Sequence, residues 1–349
     1  MSNSRYTASE ILRQAQNDKL KIKKMFGRKN KTGKTAPEFP SNLEWINSEP
    51  MTLKELRGKV VLLDFWTYSC VNCQRTLPSL KSWHEKYADK GLVIIGIHTP
   101  EFDFEKVKAN VEEAVREAGL EYATVLDPDY KIWNLFDNHW WPRKILVNKD
   151  GEIVYDHIGE GGYGKTERAI QSALREIGAK SLPAVHELEE SSGGKVCQPI
   201  SPETYLGYER GRFANHGELE KNQMHGYKKS KMRDHPILEG EWKVTREYVE
   251  SGGGALYMPF MAGEVNLVME LADGASSKGS VGVSIDGKPI ARMDAGNDVK
   301  FSGKATVVEV SSSRMYKILL ADEYLDAMMK LDVPAGVRLF AFTFGGACK

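Results

Sequence analysis

At 349 residues, 41% hydrophobic and 28% charged, the chain is long enough for two ordinary domains and has the balance of a water-exposed globular protein. Its 48 Lys and Arg offset its 48 Asp and Glu, which excludes a global attraction to nucleic acid or anionic lipid. Four cysteines are too few for a disulfide framework, and no apolar run reaches the length of a membrane span.

The positive charge gathers at one end. Residues 1–35 hold ten Lys/Arg against two Asp/Glu and carry no apolar signal-peptide core, which reads as a basic, flexible arm on a cytoplasmic protein. Strand and helix then alternate from residue 36 to 180. "KVVLLDFW" (59–66) has the continuous apolar run of a strand buried on both faces. "CVNCQRTLPSLKSWHEKYADK" (70–90) places Leu77, Leu80, Trp83, His84 and Tyr87 at helical spacing and stops at Gly91. "LVIIGIHT" (92–99) is a second buried strand, and 104–119 an amphipathic helix ending in glycine. Residues 123–127 form a short strand and 129–136 a short helix. Residues 143–159 predict a hairpin turning at Lys149-Asp150-Gly151, and 165–178 a closing helix. The sum is an α/β domain, a mixed sheet with helices on both faces.

Residues 181–202, rich in Ser, Gly and Pro, read as a linker. From 203 to 349 short β runs alternate with turns, with Asp273-Gly274 and Asp286-Gly287 at hairpin positions and a helical look only at "DEYLDAMM". "ALYMPFM" and "EVNLVMEL" count as two of about eight strands, which predicts an all-β sandwich or jelly roll.

Cys70 and Cys73 follow the first buried strand and open the helix after it. Free backbone N–H groups and the helix dipole stabilise a thiolate there, whereas an ordinary thiol titrates near about 8.5. Cys70 is expected at the mouth as nucleophile. Cys73, one turn in, would resolve the mixed disulfide. Asp64 lies six residues before Cys70 inside the apolar run. A carboxyl there is costly unless it serves a purpose, such as taking the proton of Cys73 with its own pKa raised by desolvation. Pro78 would kink the helix. Pro142, after Trp141 and before a strand, would set a backbone edge beside the sulfurs if its peptide bond were cis.

"DFWTYSCVNC", Pro78 and Pro142 together resemble the thioredoxin superfamily, whose pattern is Asp-Phe-Trp, Cys-x-x-Cys, a helix proline and a cis-proline. The resemblance implies a thioredoxin-like fold over 36–180. It also implies exchange with protein disulfides through Cys70, Cys73 and Asp64, and a partner groove at Trp66, Trp141 and Pro142. More narrowly, "FWTYSCVNCQRTLP", "GLVIIGIHTPEF" and "WPRKILVNKDG" look like the thioredoxin-like domains of DipZ-type membrane proteins and of NHL-repeat proteins. "SPETYLG", "LEGEWKV" and "GVRLFAFTFG" are similar to the β-rich module of DipZ proteins, itself like carbohydrate-binding jelly rolls. That likeness implies a glycan or protein ligand and, against the cytoplasmic reading, a cell-envelope location.

Other chemistries fit less well. Structural zinc needs a second Cys/His pair, and Cys197, Cys348, His216, His225 and His235 are not spaced for one. A peroxidase reading has Thr67 three residues before Cys70, but Leu63 stands where that motif carries proline. A binding-protein reading would use Trp242, Tyr248, Tyr257 and Tyr316 as stacking surfaces, against their place in a sandwich core. Glu101, His98 and Arg75 are candidates for the rim of the site, and Cys197 and Cys348 are expected as free thiols. No metal or organic cofactor is implied. Electrons would come from a dithiol protein.

Overall fold

The computed structural model describes residues 33–185, 198–215, 219–232, 234–275 and 278–346. The basic arm up to residue 32, most of the expected linker, and Cys197, His216 and Cys348 lie outside the described residues.

Strands β1 (Trp45–Ile46), β2 (Val60–Trp66), β3 (Leu92–His98), β4 (Ala123–Leu126), β5 (Arg143–Val147) and β6 (Ile153–Ile158) form one sheet, in the order β1-β4-β3-β2-β5-β6. The three central neighbours β2, β3 and β4 run parallel, and β1, β5 and β6 are antiparallel additions. Helices α1 (Val71–Tyr87), α2 (Lys108–Ala118) and α4 (Tyr163–Glu176) cover one face, where Leu62, Leu80, Val111 and Ile170 share a core. Helix α3 (Lys131–Leu135) covers the other, where Leu63, Phe65, Ile95 and Ile132 meet. Cover on both faces explains why β2 is buried along its whole length and carries no polar alternation.

One expected helix is divided. Residues 103–106 form a 3₁₀ turn, Val107 is extended (φ −75°, ψ 112°), and α2 begins only at Lys108. The cause is Glu105, whose buried carboxylate accepts the N–H groups of Glu101 (2.6 Å), Phe102 (3.1 Å) and Ser69 (3.1 Å). That closes the turn on itself before the helix starts.

The second half is an all-β antiparallel domain of strands β7 (Thr204–Tyr205), β8 (Met224–Tyr227), β9 (Ile237–Val244), β10 (Val249–Leu271), β11 (Gly279–Ile285), β12 (Val299–Ser302), β13 (Ala305–Val310), β14 (Arg314–Val333) and β15 (Val337–Gly345). Two corrections follow. The runs "ALYMPFM" and "EVNLVMEL" belong to the single strand β10, which bends at a register shift between Ala262 and Glu264. "DEYLDAMM" is not helical but part of β14, paired residue by residue with β10 from Leu325↔Ala262 to Met329↔Met258. β15 meets the beginning of β10 at Val249↔Leu339 and its end at Met269↔Leu339, so the sheet is rolled around that strand.

The two domains share core. Phe340 of β15 packs on Phe102 (ring centroids 5.1 Å) and Phe104 (4.9 Å) of the α/β domain, with Tyr248 against it at 5.1 Å. Val268 and Met315 join the same cluster as Tyr68 and Val71. Truncating a buried aromatic costs about 3–5 kcal/mol. Phe340→Ala is therefore expected to lower stability by that order and to separate the unfolding of the two domains into two calorimetric transitions.

Candidate active site

Cys70 is the N-cap of α1, in an extended conformation (φ −79°, ψ 116°), and its Sγ accepts the N–H of Cys73 at 3.3 Å. The loop before it is held from both sides: Ser69 N–H donates to Glu105, and Gln74 Nε2 donates to the Tyr68 carbonyl at 2.9 Å. Both cysteines are free thiols, Cys70 part-exposed and Cys73 0% exposed. Burial, with the hydrogen bond and charge of Cys70 added, holds the Cys73 thiol well above the ordinary range. Cys73 therefore needs a base to react near neutral pH. The helix runs on through Pro78, which withholds the N–H that the Gln74 carbonyl would accept.

Asp64 is fully buried in the middle of β2, on the face that carries α1. Burial raises its pKa, and the positive charge of Lys144 opposes the rise. Lys144 is the residue opposite it on β5, with Nζ 3.3 Å from Oδ1 and only 1% exposed. The pair is close enough for strong attraction but is not aligned as a hydrogen bond. Sequence reasoning passed over Lys144. It is the second of two cations that open the strand RKILV, the ordinary look of a strand start, so no local signal sets it apart as Asp64 is set apart inside VVLLDFW. The Trp141-Pro142 peptide bond is cis, and Pro142 is buried at the head of β5. Trp141 is half-buried, donates from Nε1 to the Thr99 carbonyl at 3.0 Å and lies 4.3 Å from the Trp133 ring.

Comparison with known proteins agrees with this geometry. Residues 31–174 match the Redoxin family, and residues 201–345 the family described as Thioredoxin like C-terminal domain. Thiol-disulfide oxidoreductase ResA of Bacillus anthracis is 31% identical over 149 residues, 43% of this chain and 80% of that protein. The chain belongs to the thioredoxin superfamily. Protein DipZ of Mycobacterium bovis is 31% identical over 327 residues, which is 89% of this chain but 43% of DipZ, so the chain spans less than half of that relative. NHL repeat-containing protein 2 of Homo sapiens is 41% identical over 144 residues, 40% of this chain and 20% of that protein. None of these relatives supports the cytoplasmic location expected from the N-terminal sequence. Among the described residues no helix is long and apolar enough to cross a membrane.

Within this thioredoxin-superfamily site the expected rim residues have two different fates. His98 is 1% exposed, stacked on Tyr68 and edge-on to Trp66, and burial pushes its pKa down to about 3, so it is a neutral packing residue. Glu101 accepts hydrogen bonds from Tyr205 (2.8 Å) and Arg210 (2.9 Å) of the β domain. Arg75, on α1, donates to Glu264 of the β domain at 2.5 Å and to Glu160 at 3.3 Å. Glu101 and Arg75 thus fasten the β domain to the edge of the site. A groove of about 1040 Å³ runs between the domains, lined by Val71, Gln74 and Pro78 on one side and Ser312 and Met315 on the other. Of the residues expected in the partner groove, Trp66 borders this space but is only 1% exposed, and Trp141 and Pro142 do not line it.

Of the aromatic residues considered as stacking platforms, three are buried and Tyr248 is half-buried. Trp242 and Tyr316 are 0% exposed, Tyr257 is buried, and Tyr248 packs on Phe340 with Arg338 over its ring. Among the described residues no group of three or more His, Cys, Asp or Glu is arranged to hold a metal ion.

Proposed function

We propose that the chain is a thiol–disulfide oxidoreductase acting on protein disulfides through Cys70 and Cys73. The observation that carries the reading is the asymmetry of the pair: a part-exposed Cys70 capping a helix and a wholly buried Cys73 on the same face as a buried carboxyl. The Cys70 thiolate attacks one sulfur of a partner disulfide, that S–S bond breaks, and the other partner sulfur leaves as thiolate. Cys73 then gives its proton to Asp64 and attacks Cys70 Sγ. The second partner sulfur leaves, and a Cys70–Cys73 disulfide remains, to be reduced by a dithiol protein. Pro142 and Trp141 would shape the groove that receives the partner chain. In the division of labour we propose, residues 36–180 carry the exchange and 203–349 place it on a partner. The buried state of Trp242, Tyr257 and Tyr316 favours a protein over a glycan as that partner, whatever the likeness of the module to jelly rolls.

The direct test is reduction of insulin disulfides by the full chain with a dithiol as electron source, in the unsubstituted protein and in Asp64→Asn. A positioned base contributes about 10²–10⁴-fold. Asp64→Asn is expected to slow the resolving step on that scale and to remove its rise with pH, since only the ionised carboxyl accepts the proton. Unaltered kinetics in Asp64→Asn would exclude Asp64 as the base.

A further inference from the structure

On the face of the sheet under α1 a carboxyl and an ammonium group meet at one level, two residues from His98. There Lys144 of β5, Asp64 of β2, Gly96 of β3 and Thr124 of β4 stand side by side across four strands. Trp66 and Tyr122 lean in from two residues away. A Cβ on Gly96 would lie 2.9 Å from Trp66 Nε1, 3.1 Å from Thr124 Oγ1 and 3.4 Å from Tyr122 Cε2. Three side chains therefore converge over the one position in the row that has none.

The Tyr122 hydroxyl, the Thr124 hydroxyl and the Trp66 indole N–H are all buried, and none has a hydrogen-bond partner among the described residues. Both Asp64 oxygens are in the same condition. Buried polar groups are nearly always paired, and a cluster of orphans around an ionisable group is where function is to be sought. Three of these groups can donate and the fourth, once ionised, can only accept. Tyr122 also sits where negative charge on Asp64 or on Cys73 acts on it, added to the larger effect of its burial.

We propose that Tyr122, Thr124 and Trp66, which make no hydrogen bond to Asp64 in this structure, are positioning residues for it: across the space over Gly96 they turn to its ionised form, or reach it through water, and so set the pH at which Cys73 can be deprotonated. The inference rests on the exchange reaction proposed above and adds to it the groups that make Asp64 a usable base. Donors to the charged form of an acid lower its pKa against the rise from burial. Removing one donor raises the pKa of Asp64, so the resolving step demands a higher pH. The step itself keeps its balance: the Cys73 proton goes to Asp64, the Cys73 electron pair forms the bond to Cys70, and the partner sulfur leaves with the electrons of the broken S–S bond. The other ionisable groups near this level are Lys144 on β5, Cys70 and His84 on α1, His157 on β6, and His98 on β3, edge-on to Trp66 and held neutral by burial. All of them stay in place in the variants below.

The test uses the reduced full chain with Cys197→Ser and Cys348→Ser, so that only the active pair reacts. The probe is 5,5′-dithiobis(2-nitrobenzoic acid), an aromatic disulfide with a coloured thiolate. Attack by Cys70 releases one thiolate, and resolution by Cys73 releases the second. Tyr122→Phe and Thr124→Val each remove one hydroxyl at nearly constant shape. Each is expected to move the pH midpoint of the second release upward by about one unit, a roughly tenfold slower rate below the midpoint, with the first release unchanged. A purely structural role would alter the melting temperature and leave the midpoint where it was. If Tyr122→Phe does not fold, Thr124→Val decides. An unmoved midpoint in the folded variants overturns the proposal. A missing second release in the parent protein overturns instead the exchange reading on which it rests.

Discussion

Cys70→Ser is expected to abolish disulfide reduction, and Cys73→Ser to stop it half-way with the partner still attached. A hydroxyl at the mouth of α1 cannot replace a thiolate, so turnover should fall by at least about 10³-fold in Cys70→Ser, as loss of a covalent nucleophile generally does. The two variants differ because of burial. Cys70 is part-exposed and can meet a partner sulfur, whereas Cys73 at 0% exposure cannot. Cys73→Ser therefore accumulates a mixed disulfide at Cys70, close to one partner per chain, visible on non-reducing gels and released by dithiothreitol. With Cys197 and Cys348 also replaced by serine, Cys70→Ser should capture nothing, because its remaining thiol is buried on the inner face of α1. If Cys73→Ser captured no protein while Cys70 still reacted with a thiol reagent, the substrate class would be wrong.

The parts of this molecule that the sequence reveals are those where one local signal dominates. The run at 59–66 is apolar without alternation because both faces of β2 are covered, and the α1 spacing from Leu77 to Tyr87 survives Pro78. Cys70 and Cys73 are legible because a Cys-x-x-Cys at a strand-to-helix junction has few other uses. What the sequence hides depends on distant partners. β1 is two residues long and exists only through its pairing with β4. Residues 104–119 keep a helical period, but Glu105 diverts three backbone N–H groups and closes a separate turn. Leu325, Met328 and Met329 have helical spacing, yet β10 offers a full antiparallel edge and tertiary pairing overrides the local pattern. The ties through Arg75 and Glu101 link residues 189 and 104 positions apart, and no local pattern announces them.

Lys144 belongs to the same class, and its removal should have the largest effect on stability. Lys144→Met leaves Asp64 buried without the cation that faces it. Taking away one partner of a buried ion pair typically costs about 3–5 kcal/mol, because the survivor keeps its desolvation penalty. The sign of the pH dependence follows from the direction of the Asp64 shift. Its folded pKa is raised above the ordinary carboxylate value of 3.8, so the folded state binds a proton more tightly than the unfolded state. Stability therefore falls as pH rises from the unfolded value through the folded one, and then levels. Without Lys144 the folded value climbs further and the fall extends to higher pH. Chemical denaturation should show a smaller gap between Lys144→Met and the parent at the acid end of the range, where protonation spares Asp64 its buried charge, and the full cost at the alkaline end. Adding Asp64→Asn to Lys144→Met removes the ionisable group and should flatten that pH dependence, recovering much of the loss at the higher pH. A gap of the same size at both ends of the range would mean that Lys144 acts through packing of its aliphatic stem and not through the charge of Asp64.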